Sequence, residues 1–187
     1  MGKIQMRTDV TKFKTAAIGL LAIATFWFLP TPARASEESD VRAIVQQVFQ
    51  QLQSRDYGAV YDSLPSSSRT RMSRERFISA LKRAQDRYVL DRINIGAVRV
   101  AGNIAVADTE LYGRISNPFP AEGKIVVQQY LVREDGSWRV ATGGRATIDR
   151  FLKSNPSFAR KFPIKKTRAY IQQNGQWVEI PMGQRRK

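Results

Sequence analysis

The chain has 187 residues, with 31 Lys and Arg against 16 Asp and Glu, no His and no Cys, for a formal net charge of +15. Without Cys there is no disulfide, thiol nucleophile or zinc-thiolate cluster; without His there is no imidazole ligand and no Ser–His relay. A hydrophobic content of 42% suits a globular fold.

Residues 1–35 read as an export signal. Lys3, Arg7, Lys12 and Lys14 make a basic start, and residues 16–29 are apolar or small apart from Thr25. Pro30 and Pro32 end the run, and Ala33-Arg34-Ala35 places small residues where a signal peptidase reads them, so a cut is expected before Ser36. The alternative is a membrane anchor retained over residues 16–29. As a helix that run spans roughly 21 Å, short of the ~30 Å hydrocarbon core. No Cys follows the run and no twin-arginine pair precedes it, which points to export of an unfolded chain to a periplasmic or extracellular location. The remaining residues, 36–187, carry a net +11, of which +9 falls in residues 145–187. The polyanions an exported protein meets are anionic head groups, wall polymers and acidic proteins; nucleic acid is not an expected partner. The alternative is that the charge serves solubility alone.

Val41, Ile44, Val45, Val48 and Leu52 form one apolar stripe at helical period, predicting a helix from about Asp40 to Ser54 capped by Ser39 or Asp40. Asp56 starts a second, short helix through Tyr57, Val60 and Tyr61 that Pro65 stops, and Ser66-Ser67-Ser68 reads as a loop. Ser73 caps a third helix with Phe77, Ile78, Leu81 and Ala84 on its apolar face and Tyr88 just beyond. Arg69, Arg71, Arg74 and Arg76 crowd its start, where cations oppose the helix dipole; they bind an anion or form a solvated basic face.

From Arg92 the period changes to two. Residues 93–100, 104–112, 124–133 and 137–141 read as four strands of an antiparallel meander, with turns at Gly102-Asn103, Asn117-Pro118 and Asp135-Gly136. Gly143-Gly144 breaks the sheet. Residues 146–153 form a short helix, and 167–173 and 176–180 a second hairpin around Asn174-Gly175. The expected domains are the signal (1–35), an α+β unit (36–144) and a basic extension (145–187).

The helix VRAIVQQVFQQLQSRDYGAVYDSL, the later helix SRERFISALKRA and the strand pair YLVREDGSWRVATG, taken in order, resemble the nuclear-transport-factor-two-like, cystatin-like superfamily over about residues 38–142. The resemblance implies N-terminal helices packed on a curved, four-stranded antiparallel meander, making a cone with a pocket. It also implies pairing through the open sheet face, hence a homodimer. Superfamily members include isomerases, dehydratases, ligand binders and exported domains of unknown role, so the fold says little about function. Many catalytic members use a His in the pocket, and this chain has none to carry over.

Asp108 and Glu110 share a strand face with Ile104, Val106 and Tyr112. If that face looks into the cone, the two carboxylates form a general acid/base pair; if the strand twists, both face water. Gln128 and Tyr130 alternate with Val126 and Val132 and offer hydrogen bonds to a pocket ligand, and Tyr57, Tyr61 and Tyr88 rim the same pocket or fill the core. Trp138 and Trp177 read as packing anchors for their hairpins. Arg160, Lys161, Lys165, Lys166 and Arg168, interleaved with Phe158, Phe162 and Tyr170, suit a polyanion or membrane surface, or a solvated loop. The leading expectation is an exported, non-catalytic binding module for an unidentified small molecule or protein, with no cofactor and no metal. Its rivals are a small isomerase- or hydrolase-like enzyme using Asp108 or Glu110, and an envelope-surface binder using the basic extension.

Overall fold

A computed structural model describes residues 32–116, 120–141 and 145–181. The apolar run at 16–29, the Asn117-Pro118 turn and the Gly143-Gly144 break lie outside the described residues. Among the described residues no helix is long and apolar enough to cross a membrane.

The stripe Val41, Val45 and Val48 is buried on one face of helix α1 (Pro32–Gln53). The helix begins at Pro32 rather than Asp40, so Ser39 and Asp40 lie inside it and do not cap it. A cut before Ser36 would remove its first turn. Two side chains tie α1 to the sheet: Arg42 donates to the carbonyls of Ile95 and Gly96, and Gln53 to those of Leu90 and Asp91. Asp56 caps α2 (Tyr57–Asp62) by accepting from the Ala59 amide. The three serines expected as a loop begin a single turn, α3 (Ser66–Arg69), fixed where the Ser66 amide and hydroxyl both donate to Glu134. Ser73 caps α4 (Arg74–Gln85) as its position predicts.

The protein is α+β, with one six-stranded antiparallel sheet. Its strands are β1 (Tyr88–Ala101), β2 (Ile104–Ile115), β3 (Ala121–Glu134), β4 (Ser137–Val140), β5 (Arg168–Gln173) and β6 (Gln176–Ile180). Tyr88, just beyond α4, opens β1. The Asp135-Gly136 and Asn174-Gly175 turns have positive φ at both central residues, as a two-residue type I′ hairpin demands.

The expected four-stranded meander with a separate hairpin is corrected here to a continuous sheet in the order β1-β2-β3-β5-β6, with β4 beside β3. The reason lies in the length of β3. β4 pairs only with Leu131–Glu134 at its C-terminal end, and β5 takes up Gly123–Val126 on the same edge. Without β5 that stretch would leave backbone groups unpaired, and without β3 the β5–β6 hairpin would be too small to persist in water. β1 is bent by irregularities between Leu90 and Arg92 and between Ile95 and Val98. Gly113 of β2 packs so close to the Val89 carbonyl that a Cβ has no room there.

The sheet has helices on both faces. On one face Val98, Val100, Ala105, Ala107, Leu131 and Val140 pack against α1 and Val60 of α2. On the other, Val106 and Tyr130 pack against Leu152 of α5 (Arg145–Lys153) and Phe158 of α6 (Pro156–Lys161). Of the two alternatives for this strand, the one in which Ile104, Val106, Asp108 and Glu110 look into the cone is therefore not the one formed. The alanines at 105 and 107 face α1, because small side chains let the helix approach, and the larger Ile104 and Val106 anchor the C-terminal helices instead.

Candidate functional site

The residues singled out as pocket candidates divide between the two faces. Tyr57, Tyr61 and Tyr88 belong to the helical side. The Tyr57 hydroxyl donates to Gln85 at 2.8 Å in the buried region between α2 and α4. The Tyr61 hydroxyl donates to the carbonyls of Arg69 and Met72, and its ring packs on Phe77. Tyr88 is partly buried, and burial pushes its phenol up. Gln128 and Tyr130 lie on the opposite face beside Asp108, so the five residues do not rim one pocket. Two open hollows of about 580 and 500 Å³ lie on the helical side. Tyr57 lines the first, with Arg55, Lys82 and Asp86, while Arg71, Arg76 and Arg83 flank the second.

Asp108 sits where β2, β3 and the C-terminal segment meet. Its Oδ1 accepts from Arg99 at 2.8 Å and from Gln128 at 3.1 Å, and its Oδ2 accepts from Lys165 Nζ at 2.7 Å. The Gln128 carbonyl oxygen takes the Lys165 amide and the Tyr130 hydroxyl. Burial alone would raise the Asp108 pKa, but hydrogen bonds from Lys165, Arg99 and Gln128 outweigh it and hold the carboxyl below its ordinary value. Such a carboxylate is a poor proton acceptor at neutral pH. It acts as a clasp joining the C-terminal segment to the sheet.

The clasp has a pH signature. A depressed carboxyl pKa stabilises the fold above the unfolded value, about 3.9, and that contribution disappears as pH falls through the folded value. Asp108→Asn is expected to be less stable than wild type at pH 7. The gap should narrow as the medium is acidified from about pH 5 to pH 2. Urea unfolding across that range checks it; a constant gap would remove the clasp.

Glu110 is held by different neighbours. Its Oε2 accepts from the Tyr112 hydroxyl at 2.7 Å, and that bond outweighs burial and lowers its pKa, with help from Lys124, Asn94 and Arg92. The same bond is the main cause that raises the Tyr112 phenol. Glu110 belongs to the half of this face that α5 and α6 leave uncovered. There Arg92 lies over the Tyr112 ring at 3.6 Å, and Lys124 Nζ stands 5.8, 5.0 and 5.2 Å from the ring centres of Tyr112, Tyr170 and Trp177. Arg168 lies over Tyr170 at 5.7 Å. Arg92, Lys124 and Arg168 have no ion pair among the described residues, and Trp177 is 36% exposed. The Trp177 ring meets Tyr112 edge-on.

The five basic residues of the extension thus have different surroundings. Lys165 is spent on Asp108, Lys161 reaches the Phe162 ring, and Arg168 joins the aromatic group. Arg160 and Lys166 are exposed. Sequence reasoning did not find Arg92, Lys124 or Tyr112 as a site. The signal was present only as strand parity; which strands neighbour each other depends on the β3–β5 pairing. Among the described residues no three His, Cys, Asp or Glu gather as metal ligands.

No family model matches this sequence, and no curated protein matches it. Solved structures similar to this chain include Aln2 from a Streptomyces species, 14% identical, with a TM-score of 0.41 over 60% of this chain and 88% of that one. An LEH-like epoxide hydrolase of M. tuberculosis is 16% identical, with a TM-score of 0.39 over 67% of this chain and 99% of that one. Neither likeness bears on what this chain binds or does.

Proposed function

We propose that the protein is an exported, non-catalytic binding module that takes an anionic ligand on the uncovered half of the sheet face bearing Tyr112 and Lys124. The observation that carries this reading is that, among the described residues, Arg92, Lys124 and Arg168 stand on aromatic rings with no carboxylate in ion-pair contact. A cation held over a ring keeps its charge available to a ligand while the ring fixes its position. Asp108 and Glu110 favour this reading over the enzyme, because each is stabilised as a carboxylate by its neighbours. Residues 1–35 support export, and N-terminal sequencing of the protein recovered outside the cell should begin at Ser36.

The test is elution from phosphocellulose with a rising salt gradient. Replacing Arg92, Lys124 and Arg168 by Gln should lower the eluting salt sharply, since these charges are grouped on one sheet face and held by their rings. Replacing Arg160, Lys161 and Lys166 by Gln removes the same charge and should lower it much less. Equal shifts would mean that net charge alone governs binding, and the proposed surface would fall.

A further inference from the structure

Independently of that ligand surface, we infer that the outer face of α4 is a docking surface for an anionic lipid bilayer. The large apolar residues of α4 turn inward, where Phe77 and Leu81 pack on the core under α1. Arg76, Ser79, Ala80 and Arg83 fall at i, i+3, i+4 and i+7 and share the outward face. With Arg71, Met72 and Glu75 they line the open hollow of about 500 Å³. Two small side chains thus lie between arginines, which lets a phosphate approach the helix closely and meet guanidinium groups there.

Among the described residues Arg71, Arg76 and Arg83 have no ion pair. Glu75 is the acidic residue of the lining. Hydrogen bonds from its own amide and from Ser73 lower its pKa, and the cation that acts on it is Arg74, which is itself paired with Asp62. Three guanidiniums against one carboxylate leave the hollow positive. Cations near the start of a helix oppose its dipole, so they do not serve α4 itself. Nor are they spread as a solubilising charge would be: residues 69–87 carry a net +5, while the rest of 36–144 carries −3.

Three features select a bilayer among anions. The hollow is broad and open, without walls that enclose a single small phosphate. Among the described residues no aromatic ring lines it, so a nucleobase has nothing to stack on. Met72, next to Arg71, is 44% exposed; its thioether enters the head-group layer while the guanidiniums stay with the lipid phosphates. Because α4 lies on the α1 side of the sheet, docking turns the opposite face, with Tyr112 and Lys124, away from the lipid.

The chain has no Cys, so Ser79→Cys gives one position on α4 for an environment-sensitive fluorophore, and Gln176→Cys gives a control on β6. The full-length labelled protein is titrated with vesicles of phosphatidylglycerol and phosphatidylcholine in equal parts, and with phosphatidylcholine alone. A local label reads contact at α4 whatever residues 1–35 do. The expected result is a blue shift at position 79 with the mixed vesicles that salt weakens, none with phosphatidylcholine alone and none at position 176. Arg76→Gln and Arg83→Gln should each lower the apparent vesicle affinity about fivefold, and about thirtyfold together. Arg160→Gln with Lys161→Gln removes the same charge from α6 and should stay within about twofold. Met72→Gln should lose about threefold, by an amount that salt leaves unchanged. No shift at position 79, or the same shift with phosphatidylcholine alone, would overturn the proposal. So would equal losses for the α4 and α6 variants, which would mean that net charge alone governs binding. A shift that inorganic phosphate abolishes at matched ionic strength would replace the bilayer with free phosphate, and an unchanged affinity for Met72→Gln would remove the inserted side chain that selects lipid.

Discussion

Leu131→Ala is expected to destabilise the protein by about 3–5 kcal/mol, read as a lower urea midpoint with little change in the slope. Leu131 is fully buried, near the C-terminal end of β3 where β2 and β4 flank it. It pairs with Ala105 on one side and Val140 on the other, so its side chain fills the space that two small neighbours leave beneath α1. Val41 and Val45 close that space from the helix, and Trp138 closes it from β4. A β-branched residue on a packed helix and an indole on a strand cannot collapse far into a void, so most of the cavity would persist and the cost falls in the upper part of the usual range. Leu131→Met, which conserves volume, should cost less than about 1.5 kcal/mol. A loss below about 1 kcal/mol for the alanine variant would mean that the helices are not packed on this face as described.

The elements whose stability is decided locally were readable in the residues. The α1 stripe, the Asp56 and Ser73 caps and the two type I′ turns each rest on a few neighbouring side chains, and each is formed where the pattern placed it. The start of α1 was missed because an N-cap residue signals only where a helix is permitted to begin; nothing in Ser39 or Asp40 prevents the preceding residues from being helical. The sheet faces were harder. Parity along β2 separates Ile104, Val106, Asp108 and Glu110 from Ala105, Ala107 and Thr109 correctly. It cannot say which set meets the first helix when both faces are covered, and the larger hydrophobics looked like the core-facing set. The presence of a second helical layer, α5 and α6, removes the usual distinction between a buried and a wet face.

The functional surface illustrates the same boundary. Tyr170, Lys165 and Arg168 stood out as a basic and aromatic stretch, but local sequence treats them as one group. The fold sends Lys165 to Asp108 and Arg168 to Tyr170, and brings Lys124 and Tyr112 from distant strands to Trp177. Those associations follow from β5 joining β3 through four backbone pairs, Gly123 to Val126. No spacing rule within a strand encodes that long-range choice. Register does the rest: a shift of one residue in β5 would turn Tyr170 to the opposite face and dissolve the cation–ring row.

Tyr130→Ala should have an effect of comparable size, about 3–5 kcal/mol, with a different pattern. Tyr130 is 2% exposed and neighbours Leu131 in sequence, yet it points to the other face. Its ring packs on Phe151 with centres 5.9 Å apart, and its hydroxyl donates to Gln128, which in turn accepts the Lys165 amide. Removing the ring therefore undermines the seat of α5 and α6 and the hydrogen-bonded link to the Asp108 clasp together. Since α5 and α6 touch the sheet mainly through Val106, Tyr130 and the side chains around them, their local opening should become easier than global unfolding. Limited proteolysis is then expected to cut Tyr130→Ala within residues 145–167 under conditions where Leu131→Ala, at matched overall stability, is cut throughout. Tyr130→Phe keeps the ring and loses only the hydroxyl; it should retain wild-type protection of α5 and α6 while giving up about 1 kcal/mol. Identical cleavage patterns for the two alanine variants would mean that the C-terminal helices and the sheet unfold as one unit.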